Sequence, residues 1–138
     1  MTNAEQAVAL LKQNQDTLVL TDGHETIEDH ERGVRPLLKW VGKRTFEGFS
    51  AADKVIGKGA AFLYVLLKIK DIHTGIISKP ALEVLNRYEI PVTYQQLVDH
   101  IINHTKTGYC PIETAVMDID TPETALPKII ERLKQLKD

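Results

Sequence analysis

The chain has 138 residues, of which 43% are hydrophobic and 26% charged, with a formal net charge of −2. That length suits one domain with its own core, and the balance excludes a disordered tract and a fibrous repeat. Near-neutral charge with 6% aromatic residues supplies neither the positive field nor the basic–aromatic interleaving that holds nucleic acid or an anionic membrane.

Asn3 to Gln13 places Ala4, Ala7, Val8 and Leu11 at helical spacing, with Thr2 or Asn3 as cap. Thr17 to Thr21 reads as a strand, and Asp22-Gly23 turns it back into a second arm over His24 to Glu28. Gly33-Val34-Arg35-Pro36 opens a short helix through Val41, and Lys43 to Gly48 is loop-like. Asp53 is a good cap for a largely buried helix running to Leu67, in which Gly57, Ala60, Ala61 and Tyr64 share a face. Ile72 to Ile77 is a buried strand; Ser78 caps the next helix, with Pro80 in its first turn and Leu82, Leu85 and Tyr88 on its apolar side. Pro91 begins a short extended piece. Tyr94, Leu97, Val98, Ile101 and Ile102 then predict an amphipathic helix. Asn103 to Tyr109 is polar loop, Cys110-Pro111 starts a helical turn, and Thr121-Pro122-Glu123 caps a last helix whose Leu126, Ile129, Ile130, Leu133 and Leu136 face the core.

A hairpin followed by alternating helix and strand predicts an α/β domain spanning 1–138, with a mixed sheet covered by helices on both faces. Ligands in such sheets gather where strands end and helices begin, here at Ala52-Asp53 and Ile77-Ser78. The lone cysteine, Cys110, forbids an internal disulfide, the first residues show no secretory pattern, and the apolar run Gly59 to Leu67 is well short of the roughly 20 residues that cross a bilayer. The expectation is a cytoplasmic protein with neither membrane nor nucleic acid as partner.

Three blocks carry a resemblance: Ala52-Asp53-Lys54-Val55-Ile56-Gly57-Lys58, then Ser78-Lys79-Pro80-Ala81-Leu82-Glu83-Val84-Leu85, then Thr107-Gly108-Tyr109-Cys110-Pro111-Ile112-Glu113. In that order they resemble an uncharacterised prokaryotic family, domain of unknown function eighteen-ninety-three, over about residues 33–113. The resemblance implies a three-layer α/β/α sandwich similar to cytidine deaminases, without their chemistry. Zinc deaminases open one helix with His-x-Glu and the next with Pro-Cys-x-x-Cys. Here Asp53 and Lys54 stand at the first block and Ser78 to Ala81 at the second, and one cysteine cannot supply a pair. Metal-activated water therefore has no ligands at those positions, and no cofactor is expected. Where the family reads Asn-Arg before the cysteine block, this chain has Asn103-His104.

Each candidate residue has a structural and a functional reading. Lys54 and Lys58, at i and i+4, share a helix face near an amino end; they are either solvated beside Asp53 or placed for an anion. Ser78 is a common cap that the deaminase-like arrangement brings beside Asp53. Cys110 opens a helix, where a thiol can be activated with help from His104 or Lys106, yet lone cysteines are more often buried fillers. Glu113 is a general base or a helix-dipole partner. His100 and His104 have the spacing of metal ligands but no accompanying motif, so no metal is expected. The leading function is a zinc-free deaminase-like domain that binds a small anionic or nucleotide-like molecule. Asp53, Lys54, Lys58, Ser78 and Asn103 would contact it, and Cys110 and Glu113 would border the pocket. The alternatives are an enzyme with Cys110 as nucleophile in acyl or ADP-ribosyl-type transfer, and a regulatory module that has lost catalysis. Deaminase-like domains often self-associate, so a homo-oligomer is compatible with the resemblance.

Overall fold

A computed structural model describes residues 1–103 and 105–136. Helix α1 (Asn3–Gln13) begins at Thr2, whose hydroxyl accepts the Glu5 amide at 3.0 Å while Glu5 Oε1 accepts the Thr2 amide at 2.9 Å. This reciprocal cap satisfies two donors that a helix start otherwise leaves open. Strands β1 (Leu18–Thr21) and β2 (Thr26–Asp29) pair antiparallel across a turn in which Asp22 Oδ1 accepts the His24 and Glu25 amides and Gly23 takes φ +93°. The short α2 (Arg35–Leu38) follows, with Pro36 in its first turn, and ends before Val41.

The next segment departs from the sequence expectation. Asp53 does not cap a helix; it lies inside β3 (Ser50–Ile56), and α3 (Lys58–Leu67) begins five residues later, after Gly57. The reason is pairing on both sides: the backbone of residues 50–53 bonds antiparallel to β1, and residues 50–56 run parallel to β4 (Asp71–Ser78). A helix over 53–57 forfeits those ladder bonds. Helix α4 (Lys79–Arg87) starts at Ser78, whose Oγ accepts the Ala81 amide at 3.2 Å, as the cap reading predicts. The second departure is β5 (Val92–Val98), a parallel edge strand where an amphipathic helix through Ile102 was expected. The three-to-four spacing of Tyr94, Leu97 and Ile101 imitated a helical stripe, but Tyr94 and Leu97 lie exposed on the sheet edge. Helix α5 (Pro111–Ala115) and the long α6 (Pro122–Leu136) complete the chain. In α6, Ile129 is buried and Leu126 and Leu133 pack beside the core, whereas Ile130 and Leu136 face outward, contrary to expectation.

The product is a mixed α/β structure around a five-stranded sheet of order β2-β1-β3-β4-β5. Successive β1 and β3 residues divide between two cores. Leu18, Leu20 and Ala51 join Phe62, Leu63, Ile77, Leu85 and Ile129 in the larger one, where α3 packs against α4 and α6. Val19 and Ala52 instead meet Ala7 of α1 in a small second cluster. Alternation of side chains along a strand makes these opposite faces of the sheet. Helix α1 packs mainly on β1 and β3, and no other described helix joins its cluster. No described helix is long and apolar enough to cross a membrane.

Candidate functional site

The starts of α3 and α4 lie side by side because β3 and β4 are parallel neighbours in register, Ile56 opposite Ile77. Helix starts expose unsatisfied amides and partial positive charge, so the space between them favours an anion. The chain fills that space itself. Glu113, 2% exposed, reaches in from α5: its Oε2 accepts the Lys58 amide at 2.8 Å and the Ser78 hydroxyl at 2.5 Å, and its Oε1 accepts the Ile101 amide at 2.8 Å. One carboxylate thus joins both helix starts to the loop after β5. Gly57 permits the approach, since a Cβ there would meet Glu113 Oε2 at 3.2 Å and Ile101 Cγ1 at 3.1 Å.

The other predicted residues are distributed around this centre. Lys58 is buried, and its ammonium donates to the Met117 carbonyl at 2.6 Å, just beyond α5. Lys54 is exposed on β3, so it and Lys58 do not share a helix face. Ser78 is fully buried, donating to Glu113 while accepting from Ala81. Asn103 organises its own loop: Oδ1 accepts the Thr107 amide at 3.0 Å, and the Asn103 amide donates to the Gly108 carbonyl at 2.9 Å. Cys110 is half-buried against the larger core, with its amide bonded to the Ile101 carbonyl at 2.8 Å. His100 Nδ1 stands 4.0 Å from Glu113 Oε1, and its ring lies 5.0 Å from that of Tyr109. The proposed His100–His104 pair includes a residue outside those described. Lys58, Ser78, Glu113 and the Cys110 loop therefore converge, around a seated side chain rather than an open cavity.

Asp53 belongs to different chemistry. It is 9% exposed, and its Oδ2 accepts the Tyr64 hydroxyl of α3 at 2.6 Å. Burial pushes its carboxyl up to about 7, against a partial opposing effect from the Tyr64 bond. The same burial, together with the neighbouring Asp53, raises the Tyr64 phenol well above its ordinary range.

An open groove of about 970 Å³ runs between α1 and the strip of β3, β4 and β5 that α1 leaves uncovered. Its walls include Val8, Leu11 and Lys12 from α1, Lys54 from β3, His73 from β4, and Thr93 to Gln96 from β5. His73 is held on both nitrogens: Nδ1 lies 2.6 Å from Thr93 Oγ1 and Nε2 lies 2.9 Å from Asp71 Oδ1. Sequence reasoning singled out Lys54 but passed over Thr93 to Gln96, because the spacing there predicts a helix rather than β5. The available signal was the uncharged, β-prone run Val92-Thr93-Tyr94-Gln95-Gln96-Leu97-Val98 directly after Pro91. Among the described residues, no three His, Cys, Asp or Glu side chains stand where they could hold a metal ion.

Comparison with known proteins agrees with this architecture. The structure is similar to the crystal structure of a DUF1893 family protein from Thermotoga maritima, with a TM-score of 0.87, 26% sequence identity, and coverage of 96% of this chain and 91% of that one. No curated protein matches the sequence. A family model described as a domain of unknown function, DUF1893, matches residues 6–133. That span is nearly the whole chain, and the protein belongs to the DUF1893 family.

Proposed function

We propose that this domain is a zinc-free binding module on a cytidine-deaminase-like, three-layer α/β/α scaffold, which binds a small anionic or nucleotide-like molecule and carries out no hydrolysis at its paired helix starts. The observation that carries the reading is the seat of Glu113. Zinc deaminases place their metal between two adjacent helix starts; here the corresponding space holds a carboxylate with three hydrogen-bond donors. The strand order, with an antiparallel hairpin beside three parallel strands, and the α1 layer opposite the other helices support the scaffold assignment.

The seat also bears on nucleophilic catalysis by Cys110. A thiol nucleophile needs a base or a strongly positive setting. Glu113, three residues away in sequence, already accepts from Lys58, Ser78 and Ile101, and the Lys58 ammonium is bonded to the Met117 carbonyl. This geometry favours binding over covalent chemistry.

The test has two arms. Incubation with cytidine, with and without added Zn²⁺, should release no ammonia. Nucleoside monophosphates should raise the thermal midpoint in a concentration-dependent way, because a ligand of the native state stabilises it by mass action. Zinc-dependent ammonia release that disappears in Ser78→Ala would refute the catalytic half. A flat thermal midpoint across the nucleotide series would refute the binding half.

A further inference from the structure

The two edges of the sheet are built differently. One edge is β2, only four residues long; Glu28 lies exposed on it, Asp29 is bonded to Lys39 at 2.7 Å, and Glu25 just before it is bonded to Arg44 at 2.8 Å. Shortness and charge of this kind keep an edge from taking on a further strand. The other edge is β5, seven residues without a charge or a proline, whose side chains from Thr93 to Leu97 are all exposed. Among the described residues, the hydrogen bonds of β5 run only toward β4, through the ladder and the His73–Thr93 contact. A row of outward-facing amides and carbonyls is therefore left open along its length.

We propose that this open edge is a dimerisation surface: β5 of a second copy of the chain pairs with it antiparallel across a two-fold axis, joining the two sheets into one. Unpaired strand backbone specifies its occupant, since another extended strand is what meets such a row of donors and acceptors. The second copy fits because a two-fold contact satisfies both open edges at once and then closes, leaving the short, charged β2 at each far end. Pairing β5 onto β2 instead would repeat without end, and would set an uncharged strand against Glu28 and the ion pairs of Lys39 and Arg44. Antiparallel pairing also brings the end of one β5 beside the start of the other. Asp99, just beyond that end, already carries Lys79 at 2.9 Å, and Pro91 and Val92 at the start are uncharged, so no unbalanced charges meet. Tyr94 and Leu97, 43% and 37% exposed, gain apolar cover from the partner's edge. The contact consists of one strand pair and a few large side chains, at the small end of protein interfaces, so the dimer is expected to be micromolar rather than nanomolar.

Sedimentation velocity of the intact protein between about 5 and 500 µM tests this, a range that brackets a micromolar Kd. The mass should rise from one chain to two and stop there. Amide hydrogen exchange at residues 92–98 should slow over the same range, while exchange at residues 26–29 stays constant. The Tyr94→Lys/Leu97→Lys double variant places charge at exposed edge positions of both copies. It should raise the dimer Kd by about tenfold or more without changing the circular dichroism of the dilute protein. Val55→Lys, at an exposed position on β3 away from this edge, should leave the Kd within about twofold. If the double variant does not fold, the exchange measured on the unaltered protein carries the test. A single-chain mass at every concentration would overturn the proposal and give the edge to a strand of another protein. Assembly beyond two chains would overturn the two-fold closure. Dissociation by Val55→Lys equal to that by the double variant, or concentration-dependent protection that spares residues 92–98, would overturn the edge as the contact.

Discussion

Replacing Glu113 by alanine tests the junction most directly. The substitution removes the acceptor for two backbone amides, Lys58 and Ile101, and for the Ser78 hydroxyl, all at a residue 2% exposed. A buried donor left without an acceptor costs about 1–3 kcal/mol. Ser78 can re-aim its hydroxyl, and removing a buried carboxylate recovers part of its desolvation. The two amides therefore dominate, and the expected loss is about 3–5 kcal/mol. Set against a typical total of about 5–15 kcal/mol, that brings the protein close to unfolding. For a chain of this length it lowers Tm by about 10–15 °C. Urea unfolding measures the loss. Glu113→Gln keeps one acceptor oxygen but turns an NH₂ toward a donor, so it should lose roughly half as much and remain folded for comparison. Because the alanine variant leaves an anion-sized space between two helix starts, acetate should stabilise it selectively, by a term that grows with concentration. A loss below about 1 kcal/mol, or equal stabilisation of both proteins by acetate, would refute the claim that this carboxylate joins the helix starts.

Four further substitutions probe other buried positions. The Asp53 carboxyl, raised by burial to about 7, stays protonated in the native state at pH values where the unfolded chain ionises. Stability should therefore fall as pH rises from about 4 to about 7, by up to about 1.4 kcal/mol per unit, and level off above. In urea midpoints measured against pH, Asp53→Asn should abolish that slope; an unchanged slope would refute the assignment. Tyr64→Phe removes the bond that lowers this pKa and should extend the slope to higher pH. Asp16 is fully buried with neither carboxyl oxygen hydrogen-bonded among the described residues, although His30 Nε2 lies 3.0 Å away; burial and its neighbour Glu28 push it up to about 6. Asp16→Asn should accordingly remove a loss of stability between about pH 4 and 6, which the same midpoints would detect. Gly59→Ala places a Cβ 2.7 Å from Ile112 Cγ2 and should cost about 1–3 kcal/mol by thermal unfolding; a neutral result would show that α5 shifts freely.

How much the sequence revealed depended on whether local signals agreed with tertiary pairing. The Thr2 cap, the Asp22-Gly23 turn, the Ser78 cap and the Pro111 helix start are local, and each lies where its chemistry predicts. Asp53 misled because an acidic residue before a small apolar run is a good cap in isolation, and nothing nearby shows that residues 50–56 bond to strands on both sides. Tyr94, Leu97 and Ile101 misled by spacing alone: one parallel edge strand with two exposed large side chains imitates a helical stripe. The convergence of Lys58, Ser78, Cys110 and Glu113 was legible through the family resemblance. The direction in which Glu113 points was not. A carboxylate bridging residues 58, 78 and 101 is a long-range fact with no periodicity or spacing to reveal it.

The internal carboxylate also changes where ligand sensitivity should reside. A site occupied by an exchangeable anion or metal has a stability that follows the concentration of its occupant. Glu113 is covalently part of the chain, so the junction holds its anion at every concentration, and the loop between β5 and α5 is tied down by Ile101 through both its amide, to Glu113, and its carbonyl, to Cys110. The groove has the opposite character: its lysines, Tyr94 and the two glutamines are exposed and support neither core cluster. Substitutions at Glu113 or Ser78 should therefore lower the urea midpoint, whereas Lys12→Ala or Lys54→Ala, at exposed side chains outside both cores, should change stability by no more than about 0.5 kcal/mol. A loss at either lysine as large as that at Ser78 would refute the concentration of stability at the junction.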